Sequence, residues 1–249
     1  MATPMETRFE LNEAIVENQL VLYYQPIVAV SDRSVVAAEA LVRWRHPTRG
    51  TLLPAQFVPA IERAGLAREL TLWVLREAIL QSAVWRQDRQ PLPVSVNLSP
   101  ENLRDAHFRR FLDITLRAVG APEMLIAELP AATLTTPEQL DSLALMRQKG
   151  IRVAIDDVVA PAALGDVPAD VVKLGRALVA RLGTDPQSRS DAASIVKAAK
   201  DQGRSVTAVG IEDERSWKIL VDIGCDAAQG FLLAVPMSNY DLALWRERR

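Results

Sequence analysis

The sequence predicts an α/β fold, a closed TIM-like (β/α) barrel with helices outside a parallel sheet. Segments with strand and helix patterns alternate along most of the 249 residues, which is typical of a parallel sheet. The chain contains about eight such strands, and this number favours a barrel over an open sheet. No glycine-rich fingerprint follows the first strand, which disfavours a dinucleotide-binding fold.

Each element is predicted from a local pattern. Two strands, 21–29 and 35–44, flank a turn near Asp32. Two helices follow at 54–64 and 67–88, and the first begins at a proline and ends near Gly65. The remaining strands are predicted at 93–98, 124–128, 152–155, 170–174, 205–209 and 226–229, and the remaining helices at 102–118, 136–149, 187–202, 213–222 and 238–247.

The composition is that of one globular domain, predicted to span residues 7–245 with flexible ends at 1–6 and 246–249. Apolar residues make up 49%, charged residues 24%, and the net charge of −2 does not favour binding to a nucleic-acid duplex. The single cysteine, Cys225, cannot form a disulfide within the chain and fits a reducing compartment. No stretch resembles a signal peptide or a membrane helix, so we expect a cytoplasmic protein without membrane contact.

Polar residues end or closely follow most of the predicted strands. In a barrel of this type the carboxyl ends of the strands share one mouth, where active sites are built. We therefore expect one pocket to contain residues that lie far apart in the sequence. These residues are Asn97, Glu128, Asp156, Asp157, Lys173, Glu212 and Gln229.

The strand at 35–44 adds an acid and a guanidinium to this pocket. Its alternation places one wholly apolar set of side chains, from Val36 to Trp44, on the face expected to pack against helices. The opposite face carries Glu39 and Arg43, which point into the mouth if this face is the barrel interior. On the preceding strand, Gln25 shares a face with Tyr23 and Ile27.

This set of charges indicates a divalent cation. Five carboxylates would surround one lysine and one arginine, and like charges at close range are costly unless they are compensated. Carboxylate oxygens and the amide oxygen of Asn97 are hard ligands, which suit Mg²⁺ or Mn²⁺. Arg43 and Lys173 are suited to contacting phosphate. The combination suggests metal-assisted hydrolysis of a phosphoester.

The motifs that carry these residues resemble the signature of EAL domains, which are bacterial phosphodiesterases of cyclic di-GMP with a modified TIM barrel. The resemblance covers nearly the whole chain. In order, the matching motifs are Tyr24-Gln25-Pro26-Ile27, Glu39-Ala40-Leu41 with Val42-Arg43-Trp44, Val96-Asn97-Leu98-Ser99, Ala127-Glu128-Leu129, Asp156-Asp157, Lys173, Gly210-Ile211-Glu212 and Gln229-Gly230-Phe231, with Pro236 beyond.

The resemblance implies a role for each matching residue. The family reaction is the metal-dependent attack of water on one phosphodiester, which opens the ring to linear pGpG. The implied metal ligands are Glu39, Asn97, Glu128, Asp156 and Asp157, with the last two at a second metal. The implied catalytic residues are Lys173, which would orient or activate the water, Glu39 and Asp157. The implied nucleotide-binding residues are Gln25, Leu41, Arg43, Glu212, Gln229 and Pro236.

Three departures from the family pattern cluster around the second metal. Val209 stands where the family places an acid, and an isopropyl group cannot coordinate a metal ion. The loop after Asp157 lacks the glycines and hydroxyls of the family loop, which couples metal binding to dimerisation. Pro130-Ala131 replaces Thr-Glu, and Gly175 replaces an aspartate.

These departures leave three functions open. The first is binding of cyclic di-GMP with weak or absent hydrolysis, so that the chain is not necessarily an enzyme. The second is an active phosphodiesterase in which Glu212 or a water replaces the missing acid. The third is a protein-interaction module that no longer binds the nucleotide. A homodimer or another protein partner is compatible with each of them.

Overall fold

Eight strands close into a ring, which confirms the predicted barrel. The structure is a computed structural model that describes residues 7–248, and for Ala118 and Val119 it describes the backbone alone. The strands are β1 (Leu20–Ala29), β2 (Val35–His46), β3 (Gly50–Leu52), β4 (Val94–Asn97), β5 (Leu125–Pro130), β6 (Arg152–Val158), β7 (Val171–Leu174), β8 (Ser205–Val209) and β9 (Ala227–Gln229). The ring order is β1-β9-β8-β7-β6-β5-β4-β2, and β1 pairs with β2 to close it.

The first strand runs antiparallel to its neighbours in an otherwise parallel ring. β1 pairs in the antiparallel sense with both of its neighbours, β2 and β9, while the pairs from β2 to β4 and onward to β9 are parallel. The reversal follows from the short connection to β2, where Arg33 has φ of 60° and Asp32 accepts a hydrogen bond from the Ser34 amide. A three-residue strand, β3, pairs in the antiparallel sense with the last residues of β2, Trp44 to His46. This strand was not predicted.

The helices surround the ring in the predicted order, with two additions. The helices are α1 (Arg8–Val16), α2 (Pro54–Arg63), α3 (Ala67–Gln87), α4 (Ala106–Val119), α5 (Pro137–Gln148), α6 (Arg176–Val179), α7 (Pro186–Asp201), α8 (Glu214–Asp222) and α9 (Asn239–Glu247). α1 and the single turn α6 were not predicted. In α1 the apolar pattern is weak, with Leu11 and Ala14 buried but Phe9 exposed, and the Thr7–Glu10 capping box marks its start.

The outer faces of the strands pack against the helices as the alternation in β2 predicts. Ala38, Ala40 and Trp44 are buried, and the Trp44 ring lies edge-on to Phe57 of α2 at 5.7 Å between centroids. Val36 is the exception to the prediction because it is 41% exposed at the start of the strand. The same alternation leaves the odd-numbered residues of β2 facing the barrel interior.

The C-terminal helix extends past the predicted domain boundary at residue 245. α9 continues to Glu247, and Arg246 donates a hydrogen bond to the Gln90 carbonyl at 3.1 Å. Residues 1–6 and Arg249, predicted to belong to flexible ends, lie outside the described residues. Within residues 7–248, none of the helices combines the length and apolar character needed to cross a membrane.

Candidate active site at the barrel mouth

The barrel mouth gathers polar side chains from five strands. Because alternate residues of each strand face the interior, one inward position near the mouth end of each strand supplies one polar group. The inward groups are Glu39 of β2, Asn97 of β4, Glu128 of β5, Lys173 of β7 and Gln229 of β9. All except Asn97 are buried. The structure therefore brings together these predicted site residues, which are separated by up to 190 positions in sequence.

Lys173 lies at the centre of this group. Its ammonium donates to Glu128 Oε2 at 2.6 Å and to Glu39 Oε2 at 3.4 Å. The three side chains are almost fully enclosed, with 2% of the lysine side chain, 10% of Glu39 and 1% of Glu128 exposed. Buried charges of this kind persist when they are paired and hydrogen-bonded. We call these three residues, together with Asn97 and Gln229, the mouth cluster.

Amide side chains complete the hydrogen bonds of Glu39. Asn97 Nδ2 donates to Glu39 Oε1 at 2.9 Å, and Gln229 Nε2 donates to Glu39 Oε2 at 2.7 Å. Gln229 Nε2 also donates to Gln25 Oε1 at 2.9 Å, and Gln25 in turn donates to the Ala234 carbonyl. Of the predicted nucleotide-binding residues, Gln229 is thus bonded directly to Glu39, and Gln25 is linked to Glu39 through Gln229.

Ser95 belongs to the same network, although the sequence interpretation missed it. Its hydroxyl donates to Glu128 Oε1, so both carboxylate oxygens of Glu128 have a partner. Ser95 lies two residues before Asn97 in β4 and is 1% exposed. The signal that could have revealed it is the alternation of the strand, which places Ser95 and Asn97 on the same face.

Burial and a shared ammonium set the pKa values in the mouth cluster. Burial raises the pKa of Glu128 to about 7, although Lys173 acts in the opposite direction. Burial also acts to raise the pKa of Glu39, but Lys173 and hydrogen bonds from Gln229 and Asn97 outweigh it and lower that pKa. For Lys173 the neighbouring carboxylates outweigh the effect of burial and raise its pKa above the ordinary value.

The donor chemistry of the cluster fits a hard divalent cation. Asp156, half-buried at the mouth end of β6, adds a third carboxylate whose charge acts on both Glu128 and Lys173. One ammonium cannot neutralise three carboxylates. Among the described residues, Gln229 Oε1 is buried without a hydrogen-bond partner, which leaves a further oxygen for a ligand. Carboxylate and amide oxygens suit Mg²⁺ or Mn²⁺.

Lys173 takes the position between the acids that a cation would share. No three acidic, histidine or cysteine side chains in residues 7–248 converge closely enough to hold a metal ion. The Lys173 ammonium contacts both Glu39 and Glu128. A cation held by these two acids would share their oxygens with the Lys173 ammonium.

Asp157 is not part of the mouth cluster. Its backbone has φ of 56°, and its side chain is exposed. The carboxylate lies over Gly175, where a Cβ would overlap Asp157 Oδ1 and approach Val159 Cγ1 to 2.9 Å. Because Gly175 has no side chain, the Asp157 carboxylate can lie against its backbone beside β7. The predicted second-metal residues Asp156 and Asp157 therefore have different environments.

Glu212 also lies outside the cluster. It follows β8, and its carboxylate accepts a hydrogen bond from Arg176 at 3.1 Å, with more than half of both side chains exposed. The Arg176 stem crosses the position where Gly210, with φ of 83°, would carry a Cβ. A surface ion pair of this kind contributes little stability, so it holds Glu212 at the rim only weakly.

The remaining predicted nucleotide-binding residues lie around the mouth. Arg43 donates to the Val42 carbonyl at 2.9 Å, its guanidinium lies 5.6 Å from the centre of the Tyr23 ring, and burial lowers its pKa. Leu41 lines a groove of about 630 Å³ between the mouth and helices α2 and α3. Pro236 precedes Met237, whose backbone pairs with Tyr24 of β1.

Val209 ends β8 next to the cluster. It pairs in register with Gln229, the residue that donates to Glu39. Val209 is half-buried, and its isopropyl group offers no oxygen to a cation. The mouth therefore offers many oxygen atoms as possible metal ligands beside β2, β4 and β5, whereas the end of β8 is apolar.

One arginine, Arg204, holds the loop that follows Asp157 by hydrogen bonds to its backbone. Arg204 is 9% exposed and donates to the carbonyls of Leu164 at 3.0 Å, Gly165 at 3.2 Å and Val167 at 2.8 Å. Nothing in the local sequence of this loop indicates the contact, because Arg204 lies between α7 and β8, far along the chain.

Replacing Arg204 tests these hydrogen bonds. In Arg204→Met we expect the free energy of unfolding in urea to fall by about 1.5–3 kcal/mol, because hydrogen bonds from a charged donor are lost. We also expect a nonspecific protease to cut first within residues 159–170, a segment without lysine or arginine. Arg110→Met, at an exposed arginine, is the matched control. Equal stability and equal cleavage of the two variants would contradict this role of Arg204.

A closed (β/α) barrel with buried acids and a lysine at its mouth defines a class of barrel proteins whose site is built at the strand ends. Residues 8–236 match the EAL domain family, and the chain belongs to that family. This confirms the resemblance seen in the sequence.

Individual relatives support the assignment. The chain is 32% identical over 251 residues to a cyclic di-GMP phosphodiesterase of Pseudomonas aeruginosa, which covers 96% of this chain and 42% of that protein. It is 37% identical over 243 residues to an uncharacterised protein of Mycobacterium tuberculosis, with 91% and 79% covered. Its structure matches the Pseudomonas aeruginosa phosphodiesterase MucR in complex with cyclic di-GMP at a TM-score of 0.87 and 30% identity, covering 94% and 98% of the two chains.

The chain is shorter than many of its relatives. It spans 30%, 42% and 34% of the length of three curated proteins that it matches. The similarity to those proteins therefore concerns their EAL portion.

Proposed function

We propose that this chain binds cyclic di-GMP at the barrel mouth and hydrolyses it weakly or not at all. The observation that carries the proposal is the mouth cluster, in which Glu39, Asn97, Glu128, Lys173 and Gln229 form one buried hydrogen-bonded group. Relatives with an EAL portion are named as cyclic di-GMP phosphodiesterases, and one solved relative holds the nucleotide.

The proposed nucleotide contacts surround the cluster. The Arg43 guanidinium supplies a positive charge for a phosphate, Leu41 an apolar wall, and the linked Gln25 and Gln229 amides supply hydrogen bonds. Pro236 and the exposed Glu212 complete the proposed rim. A twofold-charged cyclic dinucleotide and an acidic pocket repel each other, so this binding needs a cation.

That cation is proposed to be Mg²⁺ or Mn²⁺, held by Glu39, Asn97, Glu128 and Asp156. When bound, it polarises a phosphate oxygen and favours ionisation of a water molecule. The role proposed for Lys173 is to leave its carboxylate partner and to hold the attacking water by a hydrogen bond from its ammonium. EAL phosphodiesterases as a group depend on metal.

Weak hydrolysis is proposed because the second side of the site lacks ligands. Asp157, proposed as a catalytic residue and second-metal ligand, lies over Gly175 outside the cluster. Val209 supplies no oxygen beside Gln229. Loss of groups that merely support metal ligands costs about 10–100-fold in affinity or activity, so the loss of a ligand itself costs at least as much.

The experiment measures binding and turnover on the same protein. Binding of cyclic di-GMP is followed by calorimetry with Mg²⁺, with Mn²⁺ and with a chelator, and the nucleotides are then separated by chromatography. We expect metal-dependent binding with little or no pGpG. Glu39→Ala should lose the binding, whereas Glu17→Ala, at the exposed acid that follows α1, should keep it.

Two other results would contradict the proposal. Rapid formation of pGpG that is lost in Glu39→Ala identifies an active phosphodiesterase. No binding under any of these conditions contradicts the proposal and leaves the protein-interaction module, which is then tested by the oligomeric state and by co-purification of a partner. A cytoplasmic location is proposed together with the function, because cyclic di-GMP is an intracellular messenger in bacteria.

A further inference from the structure

The barrel interior contains a cavity on the side of the mouth cluster that faces away from the mouth. It has a volume of about 230 Å³, and its upper wall is formed by Ser95, Glu128 and Lys173. Interiors of such barrels are ordinarily filled by layers of bulky branched side chains. Here three of the six residues in the lower apolar layer are alanines, and the layer consists of Ile27, Ala37, Ile126, Ala154, Val171 and Ala227. The small side chains leave the space open.

A half-buried arginine, Arg152, lies at the floor of this cavity with its Nε unpaired. Arg152 is the first residue of β6, and its side chain lines the cavity from the end opposite the mouth. Its Nε is buried and makes no hydrogen bond with any described residue. Burial lowers the pKa of Arg152, and the charge of Asp170 opposes this effect only in part. A buried donor without a partner is costly, and it commonly marks a missing water or ion.

The acids around the cavity are already paired with other groups. Asp170 accepts from Arg147 at 2.9 Å and from the Val153 amide at 2.9 Å. Asp226 accepts from the Val206 amide at 2.8 Å, and Lys200 lies 3.3 Å away from it.

The roof of the cavity is paired in the same way. Glu128 is held by Lys173 and Ser95. Within residues 7–248, the guanidinium of Arg152 therefore makes no ion pair with an acid of this cavity, although the charge of Asp170 acts on it.

We propose that this cavity is a binding site for a small oxyanion, a phosphate or a carboxylate, held by Arg152. Thr207 lines the same space, and its hydroxyl can donate a hydrogen bond. Ser205 also lines it, but its hydroxyl donates to the Asp170 carbonyl at 3.3 Å. The volume is below the roughly 300–1,000 Å³ typical of pockets for organic ligands, so the occupant is a small ion with water. The site faces the amino ends of the parallel strands, and the Lys173–Glu128 pair separates it from the mouth. It therefore stands independently of the proposed nucleotide binding.

The test is thermal unfolding of the full chain at constant ionic strength, with sodium chloride replaced stepwise by phosphate or by acetate. We expect a saturable rise in melting temperature, about 5–10 °C at a hundred times the dissociation constant, with at least one of the two ions. Arg152→Gln should abolish the rise, and Arg110→Gln, at an exposed arginine of α4, should keep it.

Two further variants separate this site from the mouth and from a failure to fold. Arg43→Gln removes a cation at the mouth and should keep the rise, whereas Ala227→Leu fills the cavity without removing a charge and should abolish it. The proposal is overturned if the wild-type protein shows no saturable rise, or if the rise survives in Arg152→Gln. It is also overturned if Arg43→Gln removes the rise, because the ion then binds at the mouth.

Discussion

Lys173→Met is expected to destabilise the protein by about 3–5 kcal/mol at neutral pH, the cost of leaving a buried charge without its partner. The ammonium is 2% exposed and is shared by Glu39 and Glu128. Its pKa is raised above the ordinary 10.5, so its stabilising effect is fully present below pH 10.5 and is lost only as the pH rises through the higher folded value. Urea unfolding at neutral pH measures the loss.

A charge-matched control separates this effect from ordinary lysine replacement. Lys197→Met removes an exposed lysine that pairs with Asp201 one turn away, and it should change stability by no more than about 0.5 kcal/mol. The double variant Lys173→Met with Glu128→Gln should recover part of the loss, because one uncompensated carboxylate is then gone. If Lys173→Met is as stable as Lys197→Met, Lys173 does not form a buried ion pair with Glu39 and Glu128.

Val209→Glu is expected to raise metal-dependent hydrolysis of cyclic di-GMP by about 10-fold or more, because it restores an oxygen ligand at the end of β8. The new carboxylate would stand beside Gln229 and close to Glu39. It also adds negative charge to an acidic mouth, so without a divalent cation the variant should unfold more easily than the wild-type protein. Addition of Mn²⁺ should then raise its melting temperature more than that of the wild type.

Val209→Met is the matched control, since its side chain is about as long as that of glutamate but carries neither oxygen nor charge. It should gain neither hydrolysis nor the additional stabilisation by Mn²⁺. The gain in Val209→Glu must also disappear when Glu39→Ala is added. If Mn²⁺ stabilises Val209→Glu but hydrolysis does not rise, the limiting defect lies elsewhere, and the loop at 158–165 with Asp157 and Gly175 is the next place to change.

The order of strands and helices could be predicted from the sequence because it depends on local periodicity. The predicted strand at 205–209 coincides with β8, and the predicted helices at 54–64 and 67–88 differ from α2 and α3 by one residue at their ends. α1 and β3 were missed because their signals are weak: α1 buries two residues, and β3 has three. Reversal of β1 against β9 is a long-range pairing that no local pattern encodes.

The location of the site was also predictable, because strand ends in a barrel converge whatever the distance along the chain. Glu39, Glu128 and Lys173 were expected at the mouth and lie there. Their partners were less accessible to sequence reasoning. In the sequence, nothing distinguishes Ser95 from other strand residues. Its role depends on the closed barrel, which places its hydroxyl against Glu128.

By itself, the sequence determined the barrel, the family and the set of polar residues that face its mouth, since these follow from periodicity, spacing and residue chemistry. Only the tertiary structure decided which of those residues meet. Asp156 and Asp157 are neighbours in the chain, yet the first acts on Glu128 and Lys173 while the second lies over Gly175. The physical reason is that a side chain takes its direction from backbone angles and from the space left by residues distant in sequence, as the positive φ of Asp157 and the missing Cβ of Gly175 show.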